Sequence, residues 1–241
     1  PNIRNAYRTM VPLAADGPWS QALGPTHFSW MFLDDTPKGL PRVTLPEVWF
    51  VYRTNPGISF WDTQALGEKM ARFPFMVAFA YTHDETNHFA DVLLPDATDL
   101  EGLQLWRIGG TKYQESFWDH QGFALRQPVV ARRGQARDLT DIATELAHRT
   151  GLSAKYYAAI NKGAGGVPLK SEFGDFSLDP QARHGHEQIW DAVCRAASAE
   201  VSEGATAHGL DWWKEHGLAT RPYPRRDWYL LPTMERTGLR F

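Results

Sequence analysis

One cysteine, Cys194, stands among 241 residues. A lone thiol excludes an internal disulfide, a cysteine-based zinc site and an iron–sulfur cluster built from this chain alone. Long apolar runs are also missing. Stretches such as 75–81 fall far short of the roughly 20 residues that cross a bilayer, so no direct membrane span is expected. Nor is there an excess of positive charge: 25 Lys and Arg against 28 Asp and Glu leave a formal net charge of −3. Such a balance gives no field that would gather nucleic acid or an anionic membrane surface. The opening stretch PNIRNAYRTM has no initiator Met, secretory leader or twin-arginine segment. It is expected to be the interior of something longer.

Two catalytic signatures are absent as well. No Gly-x-Ser-x-Gly elbow occurs, and Cys194 falls in an amphipathic pattern where a small buried hydrophobe is expected rather than a nucleophile. The glycine cluster Gly163–Gly166 has no strand before it and no Lys-Ser/Thr pair after it, so it reads as a flexible loop rather than a phosphate cradle.

What is present is apolar and aromatic. Hydrophobic residues make up 43% of the chain, with 10 Trp, 8 Tyr and 13 Phe, enough for a core; 16 Pro and 20 Gly imply long irregular connections. Residues 1–46 show no sustained period and read as a looped lead-in. EVWFVYR (Glu47 to Arg53) reads as a buried strand closed by a turn signal. From Asp62 or Thr63, either able to cap, a helix places Leu66, Met70 and Phe73 on one face. FPFMVAFAYT and ADVLLP then read as two more buried strands. Strand, helix and strand within so short a span make a parallel βαβ unit.

The stretch from Asp96 to Gln135 reads as a wrapping segment with short strand-like pieces. RDLTDIATELAHRTGL predicts a helix capped by Asp138 and stopped by Gly151. Residues 161–184 read as a loop, a helix is expected near 186–201, and another short helix ends at Gly217 before an extended aromatic tail. The fold class expected is α/β, a Rossmann-like parallel sheet with flanking helices and long irregular segments.

In such sheets ligands collect beyond the carboxyl ends of the strands. Two loops have that address. In the first, Arg53 to Asp62, Thr54 and Asn55 offer hydrogen-bonding side chains and Gly57 lets backbone come close to a ligand, a fit for phosphate or pyrophosphate. The bland reading is that Asn-Pro-Gly turns the chain and Asp62 caps a helix. In the second, Tyr81 to Phe89, Asp84 could accept two hydrogen bonds from a guanine-type edge, with Thr82 and Thr86 assisting. His83, Asp84, Glu85 and His88 are metal-ligand types, but their spacing matches no metal motif. Glu85 and Asp91 also have a structural reading, pairing with backbone amides or an Arg where the chain re-enters the sheet.

The ordered series RTNP, DETNHFADVLLPDATDLEG and PVVARRGQARDLTDIATELAHRTGL resembles the molybdopterin oxidoreductases of the dimethyl sulfoxide reductase family. Within it, FAYTHDETNHFADVLLPDATDLEGLQLWRIGGTKYQ is most similar to large subunits of the phenylacetyl-CoA:acceptor oxidoreductase type. The resemblance is specific over 47–152 and looser over 186–241. Two positions depart from the family pattern: Asn87 stands where Ala is usual, and Ala80 where many members have an acidic residue, which makes Asp84 the substitute candidate.

The resemblance implies part of a catalytic subunit that carries molybdenum or tungsten on two pyranopterin guanine dinucleotides, the bis(molybdopterin guanine dinucleotide) form. It implies an irregular lead-in (1–46), a dinucleotide-binding region (47–152), and a loop and helical extension (153–241) leading toward a C-terminal barrel outside this chain. Thr54, Asn55, Pro56, Ser59, Thr82, Asp84 and Thr86 would hold phosphate, ribose or guanine of one pterin. The metal ligand and an iron–sulfur cluster would lie in an N-terminal part, so no residue here is expected to be catalytic or to ligate metal. Partners would be the remaining domains of the same subunit and an iron–sulfur electron-transfer subunit. The compartment stays open between prokaryotic cytoplasm and periplasm, with membrane association through partner subunits. Two other classes compete: a glycan-processing hydrolase using Trp platforms and paired carboxylates, and a non-catalytic interaction module.

Overall fold

The computed structural model describes residues 47–59, 63–108 and 120–222. The lead-in, Asp62 and the aromatic tail beyond Pro222 lie outside the described residues. The chain divides into two compact units at the Pro95/Asp96 junction.

The first unit holds a parallel three-stranded sheet in the order β1 (Trp49–Tyr52), β2 (Met76–Ala80), β3 (Val92–Pro95). Register runs from Trp49 opposite Met76 to Tyr52 opposite Phe79, and from Val77 opposite Val92 to Ala80 opposite Pro95. A helix, Thr63–Met70, lies between β1 and β2 in sequence, as the βαβ reading requires. It ends one turn earlier than its apolar period suggests. Phe73 nevertheless joins Leu66 and Met70 in one buried cluster, packed by Trp49, whose ring centroid is 4.7 Å from that of Phe73.

Every residue of the central strand β2 is buried. The two outer strands correct the sequence reading, which took both as buried. In β1, Val51 is 3% exposed while Phe50 is 57% exposed, and in β3 Val92 and Leu93 are 38% and 39% exposed. Each is an edge strand among the described residues, so its apolar composition reports β-propensity rather than full enclosure. Asp91 behaves as its structural reading requires: its Oδ2 accepts from the Met76 N–H at 2.7 Å, tying the start of β3 to the start of β2.

The second unit corrects the wrapping-segment reading. Its Gln104–Ile108 (β4) and His120–Arg126 (β5) pair antiparallel, and β5 pairs with β8 (Leu218–Pro222). Gly122 is required there, because a Cβ would collide with the Ala219 backbone of β8. A two-residue hairpin, β6 (Lys170–Ser171) with β7 (Gly174–Asp175), sits inside the stretch read as loop.

Three expected helices are found. Leu139–Arg149 begins at Asp138, whose carboxylate accepts from the Thr140 N–H at 3.0 Å, and stops at Gly151, φ +72. His186–Val201 buries Ile189, Ala192, Val193, Ala196 and Ala197. Leu210–His216 closes on left-handed Gly217. A further helix, Ser153–Ala159, had no counterpart in the sequence reading; it seats Tyr157, 1% exposed, in the core.

Cys194 is fully buried, and desolvation, with Asp191 nearby, pushes its thiol up to about 12. The native protein is therefore expected to resist thiol-alkylating reagents at pH 8 and to react only in denaturant; rapid native alkylation would contradict this placement.

Several carboxylates titrate low. The backbone N–H and hydroxyl of Thr98, each 2.9 Å from Oε2, hold Glu101 below its usual range, and Arg133 assists. Lys170 and Ser177 bring Asp175 to about 2. A depressed folded value means that stability present above the unfolded value is lost as pH falls through the folded one. Denaturant midpoints should therefore decline from the ordinary carboxylate range down toward pH 2, with a shallower decline in Glu101→Gln; an identical slope in that variant would sink the assignment.

Candidate functional site

Both candidate loops leave the carboxyl ends of adjacent parallel strands, residues 53–59 after β1 and 81–89 after β2. The structure brings them together. Thr86 is 0% exposed, and its hydroxyl accepts from the Gly57 N–H and donates to Asn55 Oδ1, both at 2.7 Å. The other end of the same amide, Asn55 Nδ2, donates to Glu85 Oε2 at 2.7 Å. That hydrogen bond is the main cause holding the exposed Glu85 carboxyl below its usual range.

Each loop is also braced from within. Pro56–Ser59 makes a single helical turn in which both the N–H and the hydroxyl of Ser59 donate to the Asn55 carbonyl. Asp84 Oδ1 accepts from the N–H groups of Thr86 (3.0 Å) and Asn87 (2.8 Å). Asn87, 4% exposed, answers by accepting from the Asp84 N–H and donating to the Thr82 carbonyl. Loops built this way hold their shape without a ligand, because the buried polar groups find partners inside the loops.

The candidate residues thus divide by what they present. Thr54, Ser59 and Thr82 are exposed, Asn55 and Asp84 are half-buried, and Pro56 and Thr86 are enclosed. Gly57 does permit close approach, and what approaches it is the second loop: a Cβ there would lie 3.1 Å from Glu85 Cβ and from Thr86 Oγ1. An open depression of about 420 Å³ lies beside the loops, lined by Gly57, Gln64, Gly67, Glu68, Glu85 and Phe89 among others.

Three residues outside the candidate set contribute here. Asn87, noted only as a departure from a pattern, is the internal brace. Glu85, read as structural, fixes Asn55 and also lines the depression. Arg53 adopts φ +43, and its guanidinium lies 5.4 Å from the Tyr52 ring centroid and 5.2 Å from that of Tyr81. A non-Gly residue held in the left-handed region costs on the order of 1–3 kcal/mol and persists only where its surroundings fix it. A buried Asn next to a DET turn was a readable signal for the brace; the Arg53 backbone was not readable from sequence.

Among the described residues no group of three His, Cys, Asp or Glu side chains converges as a metal site. Of the described tryptophans, Trp190 and Trp213 sit in the core at 8% and 0% exposure, while Trp106 is 50% exposed.

The comparisons with known proteins bear on this same region. Residues 36–149, a little under half of the chain, match the family model described as Molybdopterin oxidoreductase. A stretch of 108 residues is 28% identical to the probable oxidoreductase YoaE of Bacillus subtilis (strain 168), which is 43% of this chain and 14% of that protein. The chain therefore aligns with only a small part of that relative's length. The family-model match is to the molybdopterin oxidoreductases, and the relative is named a probable oxidoreductase.

Proposed function

We propose that this chain is part of the catalytic subunit of a molybdenum- or tungsten-dependent oxidoreductase. In this reading its two clipped loops hold the nucleotide portion of one pyranopterin guanine dinucleotide. The observation that carries it is the junction of Asn55, Gly57 and Thr86. It joins two loops thirty residues apart in sequence at the ligand-binding edge of a parallel sheet, within the stretch that matches the family model.

The donor set suits that ligand. Exposed Thr54 and Thr82 hydroxyls, the Glu85 carboxylate and the Arg53 cation stand at neighbouring strand ends, a mixture that can meet hydroxyl, amino and phosphate groups. Asp84 has one oxygen committed to its own turn, so base recognition would fall to the other. When bound, such a cofactor supplies two-electron chemistry at its metal; this chain's residues bind and orient it. The metal ligand, an iron–sulfur cluster and the contacts to an electron-transfer subunit would be provided outside these residues. Similarity to the phenylacetyl-CoA:acceptor oxidoreductase subgroup is the finer form of the same proposal.

Asn55→Ala removes the side chain that joins Glu85 to Thr86 and tests the reading directly. The dissociation constant for the nucleotide should rise about tenfold, the effect of losing roughly 1.4 kcal/mol of binding. Wild-type affinity in a folded variant would reduce both loops to ordinary turns.

A further inference from the structure

Arg53 is the residue immediately after β1, and its left-handed backbone is shared, among the described non-glycine residues, only with Glu203. Its N–H still donates to the Phe79 carbonyl at 3.2 Å, so the main chain stays in register with β2. The side chain brings a guanidinium within cation–π distance of one ring from each of two strand ends. Those rings, Tyr52 and Tyr81, are 41% and 50% exposed. Outliers of this kind gather at ligand clamps, where the side chain's position matters more than the backbone's comfort.

Charge narrows the choice of ligand group. Within residues 53–59 and 81–89, Arg53 is the sole Lys or Arg. The depression beside these loops carries the carboxylates of Glu68 and Glu85, which repel phosphate. Anionic oxygens arriving at these two loops therefore meet, among the described loop residues, one permanent cation, already oriented by two aromatic faces, and guanidinium is the side chain best shaped for them.

We propose that Arg53 is the pyrophosphate-contacting residue of this edge, with the Tyr52 and Tyr81 rings fixing its guanidinium; the proposal rests on the dinucleotide reading above. Tyr52 and Tyr81 are positioning residues, and Arg53 is the ligand contact. The carboxylate-lined depression is left to the uncharged, donor-bearing part of the ligand.

Two variants separate contact from scaffold. Arg53→Asn tolerates the left-handed backbone while removing the charge, and Arg53→Lys keeps the charge. Nucleotide-free protein is titrated calorimetrically with inorganic pyrophosphate and with GDP. Arg53→Asn should weaken both by about tenfold or more, and Arg53→Lys should retain most of the affinity. Absence of pyrophosphate binding in the wild type, or unchanged affinity in Arg53→Asn, overturns the proposal. So does a lowered midpoint with unchanged affinity, which makes Arg53 a clamp for the tyrosines alone. The two readings fail separately. Protein purified with a GMP-releasing nucleotide that Arg53→Asn retains in full sinks the Arg53 contact and keeps the cofactor. Pyrophosphate binding that depends on Arg53, in active protein that never carries a nucleotide, does the reverse.

Discussion

Replacing Thr86 with valine should separate the two loops and destabilise the parallel-sheet unit by about 2–4 kcal/mol, since each buried polar group left unpaired costs about 1–3 kcal/mol. The shape of the side chain is kept, so the effect isolates the hydroxyl. It would strand the Gly57 N–H and Asn55 Oδ1, each 2.7 Å from that oxygen in a site with no solvent exposure at Thr86. Thr86→Ser should recover most of the loss. Denaturant midpoints give the magnitude, and hydrogen exchange at the Gly57 amide gives the location. Unchanged exchange at Gly57 in the valine variant would mean that the hydroxyl does not join the loops.

Trp213→Ala is expected to cost the second unit about 3–5 kcal/mol, the range for emptying a buried tryptophan site. Trp213 is fully buried, its indole N–H donates to the Cys194 carbonyl at 3.2 Å, and its ring stands edge-on to Trp212 at 5.5 Å. The cavity would open between Leu210–His216 and His186–Val201, two helices that share the core cluster. The denaturant midpoint measures this, together with alkylation of Cys194, which should quicken. A loss under about 1 kcal/mol would show that the cluster closes over the gap.

The parts of the fold legible in sequence were those fixed by short-range chemistry. Asp138 and Gly151 mark the two ends of Leu139–Arg149 because a carboxylate cap and a left-handed glycine act on their immediate neighbours. The order strand, helix, strand around Thr63–Met70 follows from period and length alone. What was not legible depends on distant partners. The antiparallel sheet needs Gly122 to meet Ala219, nearly a hundred residues away, and nothing local in HQGFALR announces that. Ser153–Ala159 begins at Leu152 without a side-chain cap and runs on into the π-helical turn Ile160–Ala164, so it lacked both boundary signals.

The candidate site divides in the same way. Strand ends, turn residues and the thirty-residue spacing placed both loops at one edge of the sheet. Which side chains face a ligand and which face the other loop depends on burial. Thr54 and Thr82 read like Thr86 in the sequence, yet only Thr86 is enclosed. Arg53 carries its signal in a backbone angle, and Glu85 in its hydrogen bond to an amide across the loop junction.

Acid hydrolysis of the active, purified protein, followed by assay of its metal and released nucleotide, is the decisive measurement for a cofactor held by these loops. Molybdenum or tungsten together with GMP is expected, with a joint decline in Asn55→Ala. Active protein containing neither metal nor GMP would rule the cofactor out.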